Sequence, residues 1–183
     1  MELMVDYITS LDGYGAAEGW PGWWGLESPE YLAWLGEDSK NQHTLLMGAT
    51  TYRELRPHVG DSMDDIPKIV VSSTLTEPLE WKNTRLIRGD ALRAIQELKA
   101  TGDRPLATIG SLSLARSLLE AGLVDRFRVV VFPVITGRTG QERIYDGRII
   151  MTATYTWDIV SPLDGHGSYD SDLAPLDTRG VRP

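Results

Sequence analysis

Residues 106–134 read LATIGSLSLARSLLEAGLVDRFRVVVFPV, and they carry the clearest secondary-structure pattern in the chain. Its first apolar run ends at Gly110, and the next residue, Ser111, is of a type that commonly caps a helix. Apolar residues then recur at helical spacing as far as Gly122, a frequent helix stop, after which a second apolar run begins. The segment predicts a strand, a glycine turn, a helix and another strand. Such a turn is a ready phosphate site, because unpaired N–H groups and the helix dipole face it, although ordinary crossovers contain the same turn.

The rest of the chain alternates strands and helices in the same way. Apolar runs predict strands at 3–8, 43–47, 68–72 and 84–88. Capping and turn residues predict helices that begin near Ser28, Gly48, Asp90 and Ser111. This order is typical of an α/β domain with a mostly parallel sheet, and 183 residues suit one domain. A strand predicted at 151–159 has no helix before it, so we expect it to be antiparallel.

Composition and charge exclude several classes of function. The chain has no cysteine, so disulfides, thiolate metal sites and a cysteine nucleophile are absent. Its net charge of −8 without a basic cluster argues against nucleic-acid binding. No apolar run reaches the ~20 residues of a membrane span, and the first residues do not resemble a signal peptide. We therefore expect a cytoplasmic protein with a small-molecule substrate and no nucleic-acid or membrane partner. The three histidines are scattered without metal-ligand spacing, so no metal is predicted.

Small and hydroxyl-bearing residues follow four of the predicted strands, at 10–13, 48–51, 72–74 and 110–113. Because the carboxyl ends of parallel strands share one edge of a sheet, we expect these turns to lie together. Such an edge suits a ligand with several phosphates, and the clustering predicts a dinucleotide. None of the turns has the Gly-x-Gly-x-x-Gly pattern of the Rossmann fold, so a different arrangement must hold the ligand.

The order of short motifs along the chain resembles a known family. The motifs are SLDGY at 10–14, LMGATTY at 46–52, VVSSTL at 70–75, IGSLSL at 109–114, GLVD at 122–125 and VFPV at 131–134. Together they resemble the dihydrofolate reductase-like superfamily, most closely the C-terminal reductase domain of bacterial riboflavin biosynthesis and its stand-alone relatives. The resemblance implies a three-layer α/β/α domain over residues 1–160, with a mostly parallel central sheet and an antiparallel C-terminal strand. Residues 161–183 would form a C-terminal loop or tail.

The resemblance also implies a function. A member of this family would be an NADPH-dependent oxidoreductase that transfers a hydride to a small heterocyclic or imine-type substrate, at a C=N or ribosylamine-type bond. The substrate implied is 5-amino-6-(5-phosphoribosylamino)uracil, and NADH remains open as a cofactor. The alternatives are a nucleotide-binding protein of the same fold without catalysis and a dihydrofolate reductase. Relatives are commonly dimers, so a homodimer is expected.

The cofactor-binding residues implied by the resemblance lie in three of the turns. They are Gly48, Ala49, Thr50 and Thr51, then Ser72 and Ser73, then Gly110, Ser111, Leu112 and Ser113. The family often has an arginine at the position of Ala49, where it grips the 2′-phosphate of NADPH. Arg53 or Lys68 would have to take its place, and either is otherwise an ordinary surface charge.

The substrate side is implied in the same way. Asp12 and Tyr31 are the predicted catalytic residues, while Ser10, Asp12, Trp24 and Glu30 are predicted to bind the substrate. Tyr31 occupies the helix position where dihydrofolate reductases have a carboxylate, which disfavours folate as the substrate. The proton for the reduction would come from Asp12, Glu27, Glu30, Tyr31 or water, and Asp12 is the best placed because it follows a strand.

Overall fold

The computed structural model describes residues 1–19 and 27–144, together with the backbone of 156–160. A seven-stranded sheet forms its centre, and every pair of neighbouring strands in it is parallel. The strands in chain order are β1 (Leu3–Ser10), β2 (Tyr14–Ala17), β3 (Thr44–Gly48), β4 (Lys68–Val71), β5 (Thr84–Ile87), β6 (Leu106–Thr108), β7 (Arg126–Phe132), β8 (Gly140–Arg143) and β9 (Thr156–Val160). Across the sheet the order is β5-β4-β3-β6-β1-β7-β9, and β2 pairs with β8 in a separate antiparallel ribbon. The predicted α/β class with a mostly parallel sheet is confirmed.

The last strand corrects one prediction. We expected an antiparallel C-terminal strand, but β9 pairs with β7 in parallel, from Arg126 opposite Thr156 to Val130 opposite Val160. A parallel neighbour needs a connection of about a dozen residues or more, and 133–155 are long enough to return the chain to the starting edge. The absence of an intervening helix was therefore not enough to decide the direction. The predicted strand residues 151–155, the burial of the last strand's side chains and the predicted tail at 161–183 lie outside the described residues.

Four α-helices of the described chain connect the strands, and their starts follow the capping pattern closely. They are α1 (Pro29–Asp38), α2 (Ala49–Val59), α3 (Ala91–Thr101) and α4 (Leu112–Glu120). The Ser28 hydroxyl accepts a hydrogen bond from the Tyr31 N–H at 3.1 Å, and the Asp90 carboxylate accepts one from Arg93 N–H at 3.1 Å. Both caps satisfy first-turn donors as expected. Among these described helices, none has the length and hydropathy needed to cross a membrane.

The helices cover both faces of the sheet, which gives the three predicted layers. On one face, Leu3, Val5 and Tyr7 of β1 belong to a large buried core that also includes Ile95 of α3 and Leu118 of α4. On the other face, α2 packs through its buried tyrosine and leucine onto β3 and β4, and α1 packs through Tyr31 onto β7. The alternation of side chains along each strand sends one set to each layer.

Two neighbouring strands send their helices to opposite faces. The strands β3 and β6 are adjacent and parallel, yet β3 leads into α2 on one face while β6 leads into α4 on the other. In open α/β sheets a crevice forms beyond the strand ends at such a reversal, and ligands bind there. The topology therefore places a candidate site at the carboxyl ends of β3 and β6.

Candidate functional site

The four turns predicted to cluster do share one edge of the sheet. They follow β4, β3, β6 and β1, which are consecutive in the sheet and all parallel. We call the space between turns 48–51 and 110–113, where the N termini of α2 and α4 meet, the central crevice. The remaining turns, at 72–74 and 10–13, flank it on either side. This arrangement confirms the predicted grouping of the turns, whereas their ligand stays a prediction.

Gly110 brings the two turns of the central crevice into contact. Its φ is +54°, and a Cβ atom placed there would lie 2.9 Å from Thr51 Oγ1 and 3.1 Å from Thr51 Cγ2. Only glycine adopts this backbone conformation without strain, and only glycine leaves room for the threonine. The glycine is thus required both by its own backbone and by the approach of α2.

Ser111 joins the turns by hydrogen bonds. It is the N-cap residue of α4, as predicted, but its hydroxyl does not cap that helix. The Gly48 N–H instead donates to Ser111 Oγ at 2.7 Å, and the Ser111 hydroxyl donates to Thr51 Oγ1 at 2.8 Å. Ser111 itself adopts the left-handed conformation, with φ 61° and ψ 53°. The side chain that the sequence assigned to its own helix therefore stabilises the start of the neighbouring one.

The central crevice has the electrostatic character of an anion site. The first-turn N–H groups of an α-helix have no partner within the helix, and the N terminus carries about half a positive charge from the helix dipole. Here two such N termini, at Ala49 and Leu112, lie beside each other. Because Ser111 caps neither first turn, the N–H groups of Leu112 and Ser113 remain available to a ligand. A diphosphate, with its two adjacent negative groups, matches this pair of positive ends.

A pocket of about 420 Å³ opens beside the crevice at the ends of β4 and β5. Ala49, Ser72, Ser73, Thr74 and Gly89 line it; we call it the serine pocket. The Ser72 hydroxyl is already engaged, since it accepts the Thr74 and Leu75 N–H groups at 3.1 and 3.0 Å. Ser72 therefore fixes the turn that lines the pocket, and its hydroxyl lies 3.3 Å from Thr74 Oγ1, where either hydroxyl can donate, while Ser73 is exposed.

Two candidate cations were predicted for this region, and the structure separates them. Exposed Arg53 lies at the serine pocket, where its Nη2 donates to Thr74 Oγ1 at 3.3 Å. Lys68 is far from it at the start of β4, 1% exposed, with its ammonium on the Met63 and Ile66 carbonyls at 2.5 and 2.6 Å and over the Trp81 ring. Both interpretations of Lys68, as a phosphate ligand and as a surface charge, are therefore wrong. A buried ammonium needs such partners, because burial lowers its pKa.

A second pocket, of about 440 Å³, shares Gly89 with the serine pocket and is lined by residues of α3 and α4. Asp90, Ser113, Leu114 and Ser117 are among its lining residues; we call it the α3–α4 pocket. The prediction included Ser113 but missed Gly89, Asp90 and Ser117. A glycine followed by a helix cap directly after a strand, at 89–90, was the available signal. Ser117 had none, since only the packing of α4 against α3 brings it to the pocket.

Asp12 holds two loops together at the other side of the crevice. Its carboxylate accepts hydrogen bonds from Ser10 Oγ at 2.7 Å, from Thr136 N at 3.0 Å and from Gly137 N at 2.8 Å. Burial raises the pKa of Asp12, but these hydrogen bonds, led by that from the Thr136 N–H, outweigh it and hold the pKa well below its usual range. Asp12 is therefore ionised at neutral pH, which favours a loop-fixing role over proton donation. Its catalytic assignment stays a prediction.

The other substrate-side residues fall into three environments. Ser10 is 1% exposed, and its hydroxyl also accepts the Tyr14 N–H at 3.0 Å, so it stabilises the turn. Tyr31 is buried against Trp34 and Phe132, with ring centroids 5.7 and 5.5 Å away, and burial raises its pKa to about 12. Glu30 is exposed on α1. Trp24 lies outside the described residues. The three described side chains thus lie in different surroundings, namely a turn, an aromatic cluster and the exposed side of α1.

A buried ion network missed by the sequence reasoning lies beneath α1. Arg128 of β7 donates to Asp6 of β1 at 2.6 Å and to Asp38 at the end of α1 at 2.7 Å. Its guanidinium also lies 4.9 Å from the Trp34 ring centroid. Burial raises the pKa of Asp6, against the opposing effect of Arg128. The network joins the helix that carries Tyr31 to β1 and β7, and no spacing in the sequence indicates it.

Comparison with known proteins assigns the family. A family model described as the RibD C-terminal domain matches residues 2–161. The chain belongs to the RibD C-terminal domain family. This membership confirms the resemblance to riboflavin-pathway reductases, and the matched residues include all four turns of the site. No curated protein sequence matches the chain.

Two solved structures share the fold of this RibD C-terminal domain. A protein assigned to riboflavin biosynthesis in Shewanella sp. PV-4 is 24% identical, with a TM-score of 0.62, over 80% of this chain and 84% of that one. RibD from Acinetobacter baumannii is 13% identical, with a TM-score of 0.56, over 80% of this chain and 49% of that one. At these identities the similarity concerns the fold alone.

Proposed function

We propose that this RibD C-terminal domain is an NADPH-dependent reductase that binds its cofactor across the carboxyl edge of the sheet. One observation supports this most directly: two helix N termini meet at the point where the crossovers change face, and Gly110 and Ser111 hold them together. A single helix N terminus occurs in any α/β protein. A pair held in register is suited to the two phosphates of a dinucleotide.

The pockets beside the crevice suggest how the rest of the cofactor would lie. With the diphosphate in the central crevice, the adenosine would extend toward β4 and β5, where both pockets share Gly89. The serine pocket would take the ribose and its 2′-phosphate, and the α3–α4 pocket would take the adenine. The nicotinamide would then extend the other way, toward the loop that Asp12 holds.

Arg53 is the residue we propose for the 2′-phosphate. Ala49 leaves the usual cationic position empty, but Arg53 follows one helical turn later, so its side chain projects from the same side of α2. Its hydrogen bond to Thr74 already directs the guanidinium to the edge of the serine pocket. In a chain of net charge −8, a local cation is needed to hold an additional phosphate dianion.

On the substrate side, the cofactor when bound would supply a hydride to the carbon of a C=N bond. The chain would contribute positioning: Asp12 holds the loops after β1 and β7, and Tyr31 forms part of an aromatic wall on α1. Ile8 of β1 is 37% exposed and offers an apolar floor for a planar ring. We propose a heterocyclic ribosylamine of the riboflavin pathway as the substrate. The proton for its nitrogen would come from water or Tyr31 rather than from ionised Asp12.

Titration with NADPH and NADH tests the cofactor proposal. Wild-type protein should bind NADPH more tightly, and Arg53→Ala should weaken NADPH by about 10–100-fold, the value of one arginine–phosphate contact, with little effect on NADH. Arg93→Ala is the matched control, because Arg93 pairs with Glu97 on the exposed side of α3. Equal losses for both cofactors, or equal effects of both variants, would contradict the role of Arg53.

A noncatalytic nucleotide-binding protein is the second candidate. The pKa values of Asp12 and Tyr31 both lie far from neutrality, on opposite sides, and neither is tuned for proton transfer at pH 7. Oxidation of NADPH in the presence of the ribosylaminopyrimidine phosphate separates the two candidates. Tight NADPH binding without turnover would favour the noncatalytic one.

A further inference from the structure

Ser111 has a backbone conformation that a serine does not adopt without cost. Its φ of 61° and ψ of 53° lie in the left-handed region, where residues other than glycine and asparagine are uncommon. Gly110, immediately before it, also has a positive φ. A residue kept in such a conformation is retained because something else compensates, and residues of this kind cluster at functional sites. The compensation here is the pair of hydrogen bonds made by the serine hydroxyl.

Those two bonds have a fixed direction. A backbone N–H can only donate, so the Gly48 N–H uses a lone pair of Ser111 Oγ, at 2.7 Å. The single Ser111 proton then goes to Thr51 Oγ1 at 2.8 Å, the shorter of its two acceptor contacts, the other being the Ile109 carbonyl at 3.2 Å. The Thr51 oxygen is thereby an acceptor from Ser111, and its own proton must point elsewhere.

No other described residue accepts that proton. Ser111 provides the only hydrogen bond to the Thr51 side chain among residues 1–19 and 27–144. Thr51 is in the first turn of α2, and its hydroxyl lies against Gly110 at the floor of the central crevice. The free O–H therefore adds a directed donor to the N–H groups of the two helices.

We propose that Ser111 is a positioning residue for the diphosphate, which acts by locking the N terminus of α2 to that of α4 and by turning the Thr51 proton toward the ligand. This inference rests on the proposed cofactor site and adds how that site is preorganised. It explains why the N-cap serine of α4 leaves its own helix uncapped. Preorganised donors cost no rearrangement when an anion binds, so the benefit is expected in affinity for the diphosphate part alone.

The test uses two probes that separate parts of the site. Inorganic pyrophosphate reports on the central crevice, and 2′-AMP reports on the serine pocket without a diphosphate. Ser111→Gly removes the hydroxyl while permitting the backbone conformation, so the protein is expected to fold. It should weaken pyrophosphate and NADPH by about tenfold, the effect of one or two lost hydrogen bonds, and change 2′-AMP by less than about twofold.

Thr51→Val tests the acceptor of the Ser111 hydrogen bond. It removes the hydroxyl at nearly constant volume and should weaken pyrophosphate to a similar degree. The double variant should bind pyrophosphate about as tightly as whichever single variant binds it less tightly, because each single change already breaks the Ser111–Thr51 hydrogen bond. Gln42→Gly is the control, since Gln42 has a similar left-handed φ of 50° but precedes β3, at the end of that strand opposite to the 48–51 turn. It should leave both probes unchanged.

Several results would overturn the inference. Wild-type affinity of Ser111→Gly for pyrophosphate would remove the positioning role, and so would equal weakening of pyrophosphate and 2′-AMP, which indicates general loosening. Additive effects of the two variants would show that this hydrogen bond does not connect them. If wild-type protein bound neither NADPH nor pyrophosphate, the proposed function itself would fail. NADPH binding that is indifferent to Ser111 would instead leave the function standing and reject only this inference.

Discussion

Replacing Gly110 with alanine should destabilise the protein through two separable effects. A φ of +54° costs an alanine about 1–2 kcal/mol. The new methyl group would also lie 2.9 and 3.1 Å from two Thr51 atoms, and overpacking of this kind costs about 1–3 kcal/mol. The sum is a loss of about 2–5 kcal/mol in the free energy of unfolding. For a chain of this size Tm should fall by roughly 2–4 °C for each of those kilocalories.

Two further variants divide that loss into its parts. Gly122→Ala is the control for the backbone effect, because Gly122 has a φ of +65° and a Cβ atom added there would meet no other atom within 4 Å. It should cost only about 1–2 kcal/mol. Thr51→Ala removes both crowding atoms and leaves Cβ at an ordinary 3.7 Å. The Gly110→Ala/Thr51→Ala double variant should therefore lose about 1–3 kcal/mol less free energy of unfolding than the sum of the losses of the two single variants.

Urea unfolding of the four variants and wild type measures these differences directly. A steric cost should appear as a favourable coupling between positions 110 and 51, together with weakened NADPH binding in Gly110→Ala, since the methyl group would push the turns apart. If Gly110→Ala cost no more than Gly122→Ala, or if Thr51→Ala gave no recovery, the close approach of the turns would not be what requires glycine here.

Three other substitutions address the buried charges and the loop contact. Arg128→Met should cost about 3–5 kcal/mol at pH 7, because Asp6 and Asp38 lose their cation. Without the cation the pKa of Asp38 would rise, and that of Asp6, already raised by burial, would rise further, so the native state of the variant would bind more protons than that of the wild type. The stability of the variant would then fall relative to wild type as pH rises, and the deficit measured by urea unfolding should be smaller at pH 5 than at pH 7. A pH-independent deficit contradicts the charge explanation. Lys68→Met should cost about 1–3 kcal/mol by the same assay, because the partly buried Ile66 carbonyl loses its ammonium donor while the Met63 carbonyl keeps the Ile66 N–H, and a neutral result would reject that role. Asp12→Asn should lower Tm near pH 7. The difference in Tm between variant and wild type should become smaller as pH falls below about 4, where the carboxylate of the unfolded chain becomes protonated. Its turnover should fall by less than the about 10²–10⁴-fold expected for loss of a general acid, and a larger fall would restore Asp12 as the proton donor.

Much of the fold was predictable because local signals agreed with it. The caps at Ser28 and Asp90, the glycine at 110 and the alternation of apolar runs each depend on residues close in sequence, and each appears as predicted. The direction of β9 was not predictable in this way. It depends on how the long segment after β7 returns across the sheet, which no local pattern encodes.

The candidate site was also predictable only where its features depend on neighbouring residues. Its turns could be identified from strand ends followed by glycine, serine and threonine, because turn chemistry is local. The fate of individual side chains could not: Lys68 is buried on carbonyls, and the Ser72 and Ser10 hydroxyls are used within their own turns. A charged or hydroxyl residue reads the same in sequence whether its partner is water, a ligand or a distant backbone group.

The family, the α/β class and the four turns at the edge of the sheet could all be predicted from the amino-acid sequence. Periodicity, capping and motif order are properties of neighbouring residues, so they can be recognised from the sequence without a structure. Only the tertiary structure decided that Ser111 serves α2 rather than its own helix, that Arg53 rather than Lys68 reaches the serine pocket, and that Arg128 links Asp6 to Asp38. These contacts join residues far apart along the chain, and their partners are set by strand order and helix packing.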